Sequence, residues 1–219
     1  QHHKIDMQKM GIDFLAASGH KFYAPFGEGF LVGSKNFFDK FLPYQIGGGN
    51  LPYITKEGEF LRYKNQLAHD PGTPNAVGAV SLALALTKLK EIGLKNIEQY
   101  EKRLSQKLFD YMKSNPKIEL FVSEEHLNTV VPFRIKGMDS VEAAEKLNND
   151  YGIGIRAGSF CVYHIIRKLL KIEDESEIIT CVKNGDTNKI PSLARASIGL
   201  CNTEADIDRM IEAIKEITK

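Results

Sequence analysis

At 219 residues with 42% hydrophobic side chains, the chain can bury a packed core as one large domain or as one and a half. Twenty-nine basic against 28 acidic residues leave a formal net charge of +1, which excludes a field that would recruit nucleic acid or anionic lipid and points to a small-molecule partner. The most apolar run, Ala76 to Leu86, has only eleven residues and contains Gly78 and Ser81, against about 20 needed to span a bilayer, so it reads as a buried helix and not a membrane anchor.

Gln1 to Gly11 is a connecting segment carrying His2, His3 and Asp6. Adjacent residues on an extended chain point to opposite faces, so His2 and His3 would not chelate one ion together, and no metal site is expected there. Two apolar runs of strand length follow, Ile12 to Ala17 and Phe30 to Val32, with the second running back along the first. Between them Ser18, Gly19, Pro25, Gly27 and Gly29 are turn punctuation, which places Lys21 on a loop between buried strands at the mouth of a sheet. A lysine held partly out of water is destabilised as the ammonium. Its pKa is expected to fall, freeing the amine to attack a carbonyl, which is the chemistry of a Schiff-base lysine. By residue type alone a solvated loop lysine is the commoner case.

Ser34 to Phe41 reads as a short helix that Ser34 could cap. Gly47-Gly48-Gly49-Asn50 is either a flexible surface turn or a backbone needing torsions only glycine tolerates. In Gly72-Thr73-Pro74-Asn75, Thr73 is a natural N-cap and Pro74 fits a first helical turn, opening an apolar helix that runs to Ile92 and stops at Gly93. Such an N-terminus is a ready phosphate site, although by helix-start logic alone a plain capped core helix is the commoner case.

From Leu94 to Ser114 the residues Ile97, Tyr100, Leu104, Leu108, Tyr111 and Met112 recur at helical steps, with the charges expected to face water. After Pro116 come short β-type runs, Ile118 to Val122, Thr129 to Ile135 and Ile153 to Arg156, with a helix capped by Asp139 or Ser140 running to about Asn149. The division into two parts is accordingly set near Asn115, giving 1–115 and a small α+β unit over 116–219. The run Arg156-Ala157-Gly158-Ser159-Phe160-Cys161 is a strand end, a glycine turn and a cysteine opening a helix to about Lys171. There a thiolate near an arginine is favoured, while a small buried apolar residue is the commoner fate of a free cysteine. Glu173 to Lys189 is charged and poor in apolar residues, a mobile loop with an Asn184-Gly185 turn. Arg195-Ala196-Ser197 opens a strand whose guanidinium either grips a carboxylate or is solvated. Thr203 and Asp206 form a capping box for a last helix with Ile207, Met210, Ile211, Ile214 and Ile217 on its core face. Cys161, Cys181 and Cys201 form no C-x-x-C pair and cannot all be paired within the chain, which fits a reducing cytoplasm.

Ser18-Gly19-His20-Lys21, Gly72-Thr73-Pro74-Asn75 and Arg195-Ala196-Ser197, in this order, closely resemble the class V aminotransferases, the fold-type I pyridoxal-phosphate (PLP) enzymes that include cysteine desulfurases and selenocysteine lyases. The resemblance covers nearly the whole chain. It implies an α/β fold of the PLP-dependent transferase type I, present here as the C-terminal part of the large PLP-binding domain plus the small α+β C-terminal domain. It also implies that Lys21 forms the Schiff base with PLP while Ser18 and His20 hold the cofactor phosphate. The glycine run at 47–49 would line the site. Gly72 and Thr73 would reach the cofactor phosphate of a neighbouring subunit, which implies a homodimer with shared active sites. Arg195 would bind the substrate carboxylate. Arg156, Gly158 and Cys161 match an Arg-x-Gly-x-x-Cys motif whose cysteine accepts sulfur from a cysteine substrate, leaving alanine and an enzyme persulfide that a sulfur-acceptor protein could unload.

Two departures stand out from that pattern. In bacterial sulfur-mobilising desulfurases histidines commonly precede the cysteine and a proline-containing stretch follows it. Here Ser159 and Phe160 precede it and Val162, Tyr163 and His164 follow. Family members are also considerably longer: their ring-stacking histidine and the aspartate that pairs with the pyridine nitrogen precede the point matching Gln1, so the chain reads as the C-terminal portion of a longer enzyme. The alternatives are transamination or epimerisation of an amino acid with Cys161 structural, or a catalytically silent fragment lacking the cofactor pocket.

Overall fold

Short apolar runs joined by glycine turns favour antiparallel pairing, and every described strand pair is antiparallel. The computed structural model describes residues 1–187 and 189–219, which divide into two compact units, Gln1–Asn96 and Ile97–Lys219. Asn188, inside the segment expected to be a loop, lies outside the described residues.

In the first unit a single helical turn, α1 (Met7–Met10), is capped by Asp6 and closed by Gly11 in the left-handed conformation. Strand β1 (Phe14–Ser18) pairs with β2 (Gly29–Gly33), Phe14 facing Gly33 and Ser18 facing Gly29. Helix α2 (Lys35–Lys40) follows, and Ser34 takes the cap position without making a side-chain cap bond. Phe14, Phe37 and Phe41 form an aromatic cluster beside this hairpin, with ring centroids 4.8 and 4.4 Å apart. A two-residue ladder joins β3 (Tyr53–Ile54) and β4 (Phe60–Leu61), and α3 spans Ala76–Ile92.

Two expectations are corrected here. The cap of α3 is Asn75, not Thr73, and Pro74 lies outside the helix: Asn75 Oδ1 accepts from the Gly78 amide at 3.0 Å while its Nδ2 donates to the Phe26 carbonyl at 2.6 Å. One carboxamide thus closes the helix end and ties it to the preceding loop, which a threonine hydroxyl is too short to do. Nor are the strands buried, for Phe14, Leu31 and Val32 are 42%, 57% and 45% exposed. This sheet has only two strands, and among the described residues α2 and α3 meet it at few positions, Phe37 against Phe14 and Leu82 beside Gly19. The apolar helix α3 is likewise covered only along Gly78, Leu82 and Leu89, leaving Val77, Val80 and Leu84 exposed.

The second unit has the core. Helix α4 (Leu94–Ser114) buries Ile97, Leu104, Leu108, Phe109 and Met112, and from Ile97 onward it belongs to the second compact unit. Glu101 is fully buried on this same stripe, four residues after Ile97 and three before Leu104, contrary to the expectation that the helix's charges all face water. The sheet is four-stranded in the order β5 (Ile118–Leu120), β6 (Val130–Ile135), β8 (Leu193–Ser197), β7 (Arg156–Gly158). Val131, Phe133 and Ile135 of β6 and Ala194 and Ala196 of β8 face a cluster supplied by α4, α5 (Ser140–Tyr151) and α8 (Glu204–Ile217). Asp139 caps α5 through the Val141 amide at 2.8 Å, and α8 starts on the expected Thr203/Asp206 capping box. β7 begins at Arg156, where the sequence places a strand end, because Ile153 and Ile155 pack against the core from a non-strand connection. The expected loop after Glu173 instead contains a helix, α7 (Ser176–Lys183), which follows α6 (Tyr163–Leu169) and is tied to it by an Arg167–Glu175 ion pair at 2.6 Å. Among the described residues no helix is long and apolar enough to cross a membrane.

Candidate active site

The lysine turn is built by one glycine. A 3₁₀ turn, Gly19–Phe22, follows β1 directly. The Gly19 amide donates to the Glu28 carbonyl at 2.7 Å, and a Cβ on Gly19 would stand 2.6 Å from that oxygen. Glycine therefore allows the chain to tuck against the start of β2 and present Ser18, His20 and Lys21 together. All three side chains are exposed and make no hydrogen bond among the described residues. The expected desolvation of Lys21 is thus not supplied by the described residues. The donor set does suit a phosphorylated aldehyde: an amine for the carbonyl carbon, and a hydroxyl and an imidazole for phosphate oxygens.

The glycine run is pinned. Asn50 is 1% exposed; its Oδ1 accepts from the Gly47 amide and its Nδ2 donates to the carbonyls of Gln45 and Ala68, each at 3.0 Å. The Gly48 carbonyl accepts from the Gly72 amide at 2.6 Å, with Gly49 and Gly72 both at φ 88°. A buried, satisfied carboxamide makes this a fixed scaffold for Gly72, which rules out a loose turn. Thr73, freed from capping, is exposed with no partner for its hydroxyl among the described residues.

In the second unit the register of β7 on β8 sets Arg156 directly opposite Arg195. Directly opposed residues share a face, and alternation against the buried Ala194 and Ala196 puts both arginines on the side away from the core. Like charges facing each other across strands are destabilising, and among the described residues no carboxylate pairs with either. The Arg195 Nε is buried with no hydrogen-bond partner, and its Cζ lies 4.9 Å from the Phe160 ring centroid. Two cationic forks and an orphaned donor make a ready seat for a carboxylate.

From the last residue of β7 onward φ is positive at Gly158 (127°), Phe160 (52°) and Cys161 (60°), a conformation that costs roughly 1 kcal/mol or more for each non-glycine residue. Cys161 is exposed and precedes Val162, the cap residue of α6. The expectation that it opens the helix is therefore corrected: a left-handed residue cannot continue into a right-handed turn.

A family model described as aminotransferase class V matches residues 1–210. The chain belongs to the aminotransferase class V family. A cysteine desulfurase of Wigglesworthia glossinidia brevipalpis is 31% identical to this class V chain over 219 residues. The match takes in all of the chain and 48% of that protein, so the chain spans about half the length of the curated relatives it matches. Among solved structures, the cysteine desulfurase CsdA (S-sulfonic acid) of Escherichia coli superposes with a TM-score of 0.79 at 26% identity, covering 98% of this chain and 48% of that one. The apo cysteine desulfurase of Thermococcus onnurineus NA1 gives 0.84 at 26%, covering 99% and 50%. The fold is accordingly that of the PLP-dependent type I enzymes, over about half of their length.

The structure of the class V chain also brings forward residues that motif reading passes over. Asn50 stands next to the glycine run, but nothing in its type foretells full burial. Phe160 stands next to the motif cysteine, and its contact with Arg195 depends on strand register, which no short pattern encodes.

Proposed function

We propose that this class V chain serves a PLP-dependent cysteine desulfurase that takes sulfur from L-cysteine and leaves alanine. The observation that carries the reading is the opposed Arg156/Arg195 pair with its orphaned Arg195 Nε, Arg156 lying on the same strand-turn segment as an exposed thiol, Cys161. Arg195 grips the substrate carboxylate through two parallel hydrogen bonds and Arg156 supplies the second positive charge. Lys21 is the amine that holds the cofactor aldehyde and then moves a proton to and from the substrate, while Ser18 and His20 hold the cofactor phosphate. When bound, PLP supplies the electron sink. The Cys161 thiolate attacks the substrate sulfur. A sulfur–sulfur bond forms, the carbon–sulfur bond breaks with its electron pair left on carbon, and that carbon takes a proton to become the methyl group of alanine. Cys161 is left as a persulfide, open to a sulfur-acceptor protein because the side chain is exposed.

Gly72 and Thr73 serve the cofactor phosphate of a second subunit in a homodimer, a role supported by the pinned Gly72 backbone and the uncommitted Thr73 hydroxyl. Residues 1–115 then act as part of the PLP-binding domain and 116–219 as the small C-terminal domain, working in a reducing cytoplasm where Cys161, Cys181 and Cys201 stay free. Amino-group exchange with a structural Cys161 is disfavoured by the exposure of that residue.

Incubation of the intact enzyme with PLP, borohydride reduction and peptide mass spectrometry should place a pyridoxyl group on Lys21, absent from Lys21→Ala. Turnover with L-cysteine should yield alanine and a persulfide on Cys161. An unlabelled Lys21 ends the PLP reading, and an intact Cys161 thiol with amino exchange ends the desulfurase reading.

A further inference from the structure

We propose that Phe160 is a positioning residue that joins carboxylate recognition at Arg195 to the placement of the Cys161 thiol. The inference rests on the carboxylate role of Arg195 given above and adds to it a residue that no motif assigns. The Arg195 guanidinium carbon lies over the Phe160 ring, with Cζ 4.9 Å from the ring centroid. A guanidinium stacked on an aromatic face is left with its in-plane N–H edge for a ligand. The Arg195 Nε is buried and without a partner, so the guanidinium held over the ring keeps a donor that only an incoming acceptor satisfies. Arg156, directly opposite on β7, keeps the ligand anionic.

The same ring is bonded to the backbone that carries Cys161. Phe160 and Cys161 both hold left-handed torsions that neither side chain prefers, and the Phe160 ring lies under the Arg195 guanidinium. Whatever shifts the guanidinium shifts the ring, and with it the peptide that aims the thiol. Binding of a carboxylate at Arg195 is therefore felt at Cys161, so the nucleophile is set when the substrate is seated. An imidazole at position 160 could become a cation and repel Arg195, whereas a neutral phenyl ring attracts it at every pH.

The test uses the full chain with Cys181→Ser and Cys201→Ser, so that Cys161 is the single thiol, and propionate as the probe carboxylate. In the NMR spectrum the Arg195 Nε–H resonance, assigned by its loss in Arg195→Lys, should show an upfield ring-current shift. That shift should vanish in Phe160→Leu and persist in Phe160→Tyr. Propionate should move the resonance with an apparent Kd about tenfold weaker in Phe160→Leu and within about twofold of the parent in Phe160→Tyr. Saturating propionate should change the rate of Cys161 alkylation by iodoacetamide at least about threefold in the parent and Phe160→Tyr, and leave it unchanged in Phe160→Leu. An Arg195 resonance, a propionate affinity or an alkylation response that is the same in Phe160→Leu as in the parent overturns the proposal. Should Phe160→Leu fail to fold, Phe160→Met replaces it and is judged by the same readouts. None of these measurements needs PLP or turnover, so an enzyme that proves not to be a desulfurase leaves the coupling result standing, and loss of coupling leaves the persulfide test untouched.

Discussion

Arg195 is held by three neighbours of different kinds: a proline on β6, an arginine on β7 and an aromatic ring from the following turn. None of them is an acceptor, which is why its Nε is orphaned and why a conservative change should be costly. Arg195→Lys keeps the charge but loses the planar fork, so the intact enzyme should show KM for L-cysteine raised about 10- to 100-fold with a smaller change in kcat. Equal losses in kcat and kcat/KM would place the residue at the transition state instead. Gly19 is the second position where one atom decides an outcome. A methyl there must displace the Glu28 carbonyl, 2.6 Å away, so Gly19→Ala should lower stability by about 1–3 kcal/mol in urea unfolding and weaken PLP uptake by Lys21. Gly27→Ala would meet no atom within 4 Å, although its φ of 69° adds backbone strain of its own, so it should be the milder of the two.

Helix ends are where single side chains act on whole elements. Asn75→Ala removes the bond to the Gly78 amide and the tie to Phe26, and should cost about 1 kcal/mol or somewhat more, whereas Thr73→Ala should stay within a few tenths of parent stability. Equal losses would restore Thr73 as the cap. At α8 the Thr203 backbone amide, and then its hydroxyl, hold the Asp206 carboxyl below the usual aspartate range. A carboxyl whose folded pKa is depressed stabilises the fold above its unfolded value near about 3.9, and that contribution is lost as pH falls through the lower folded value. Urea midpoints taken between pH 6 and pH 3 should therefore fall less steeply in Asp206→Asn than in the parent; identical slopes would show that the capping box does not titrate.

At the scale of the molecule, apolar burial is uneven. Of the buried apolar residues only Ala24, Ala68, Leu82 and Leu89 belong to Gln1–Asn96, while the second unit holds one continuous cluster from Leu104 to Ile214. Hydrogen exchange follows how much packing must open, so amides of β6, β8 and residues 97–112 should be protected at least about 100-fold more than those of β1, β2 and α3. Comparable protection in both units would mean that the exposed face of β1, β2 and α3 is covered in solution.

Local patterns were enough to identify much of this protein: the 3.6-residue stripe of α4, the Asp139 cap, the capping box of α8, the β1–turn–β2 hairpin and the ordered motifs that carry Lys21, Cys161 and Arg195 all depend on residues near one another in the chain. Tertiary structure decided what neighbours in sequence do not encode. The pairing of Arg156 with Arg195 comes from strand register, the burial of Glu101 from the layers around α4, and the exposure of Lys21 from the sparse packing at the β1–β2 turn. Asn75 takes the cap from Thr73 because it also reaches Phe26, 49 positions away. Burial and contact across long loops are properties of packing, and packing is set by the assembled surfaces rather than by any short stretch of residues.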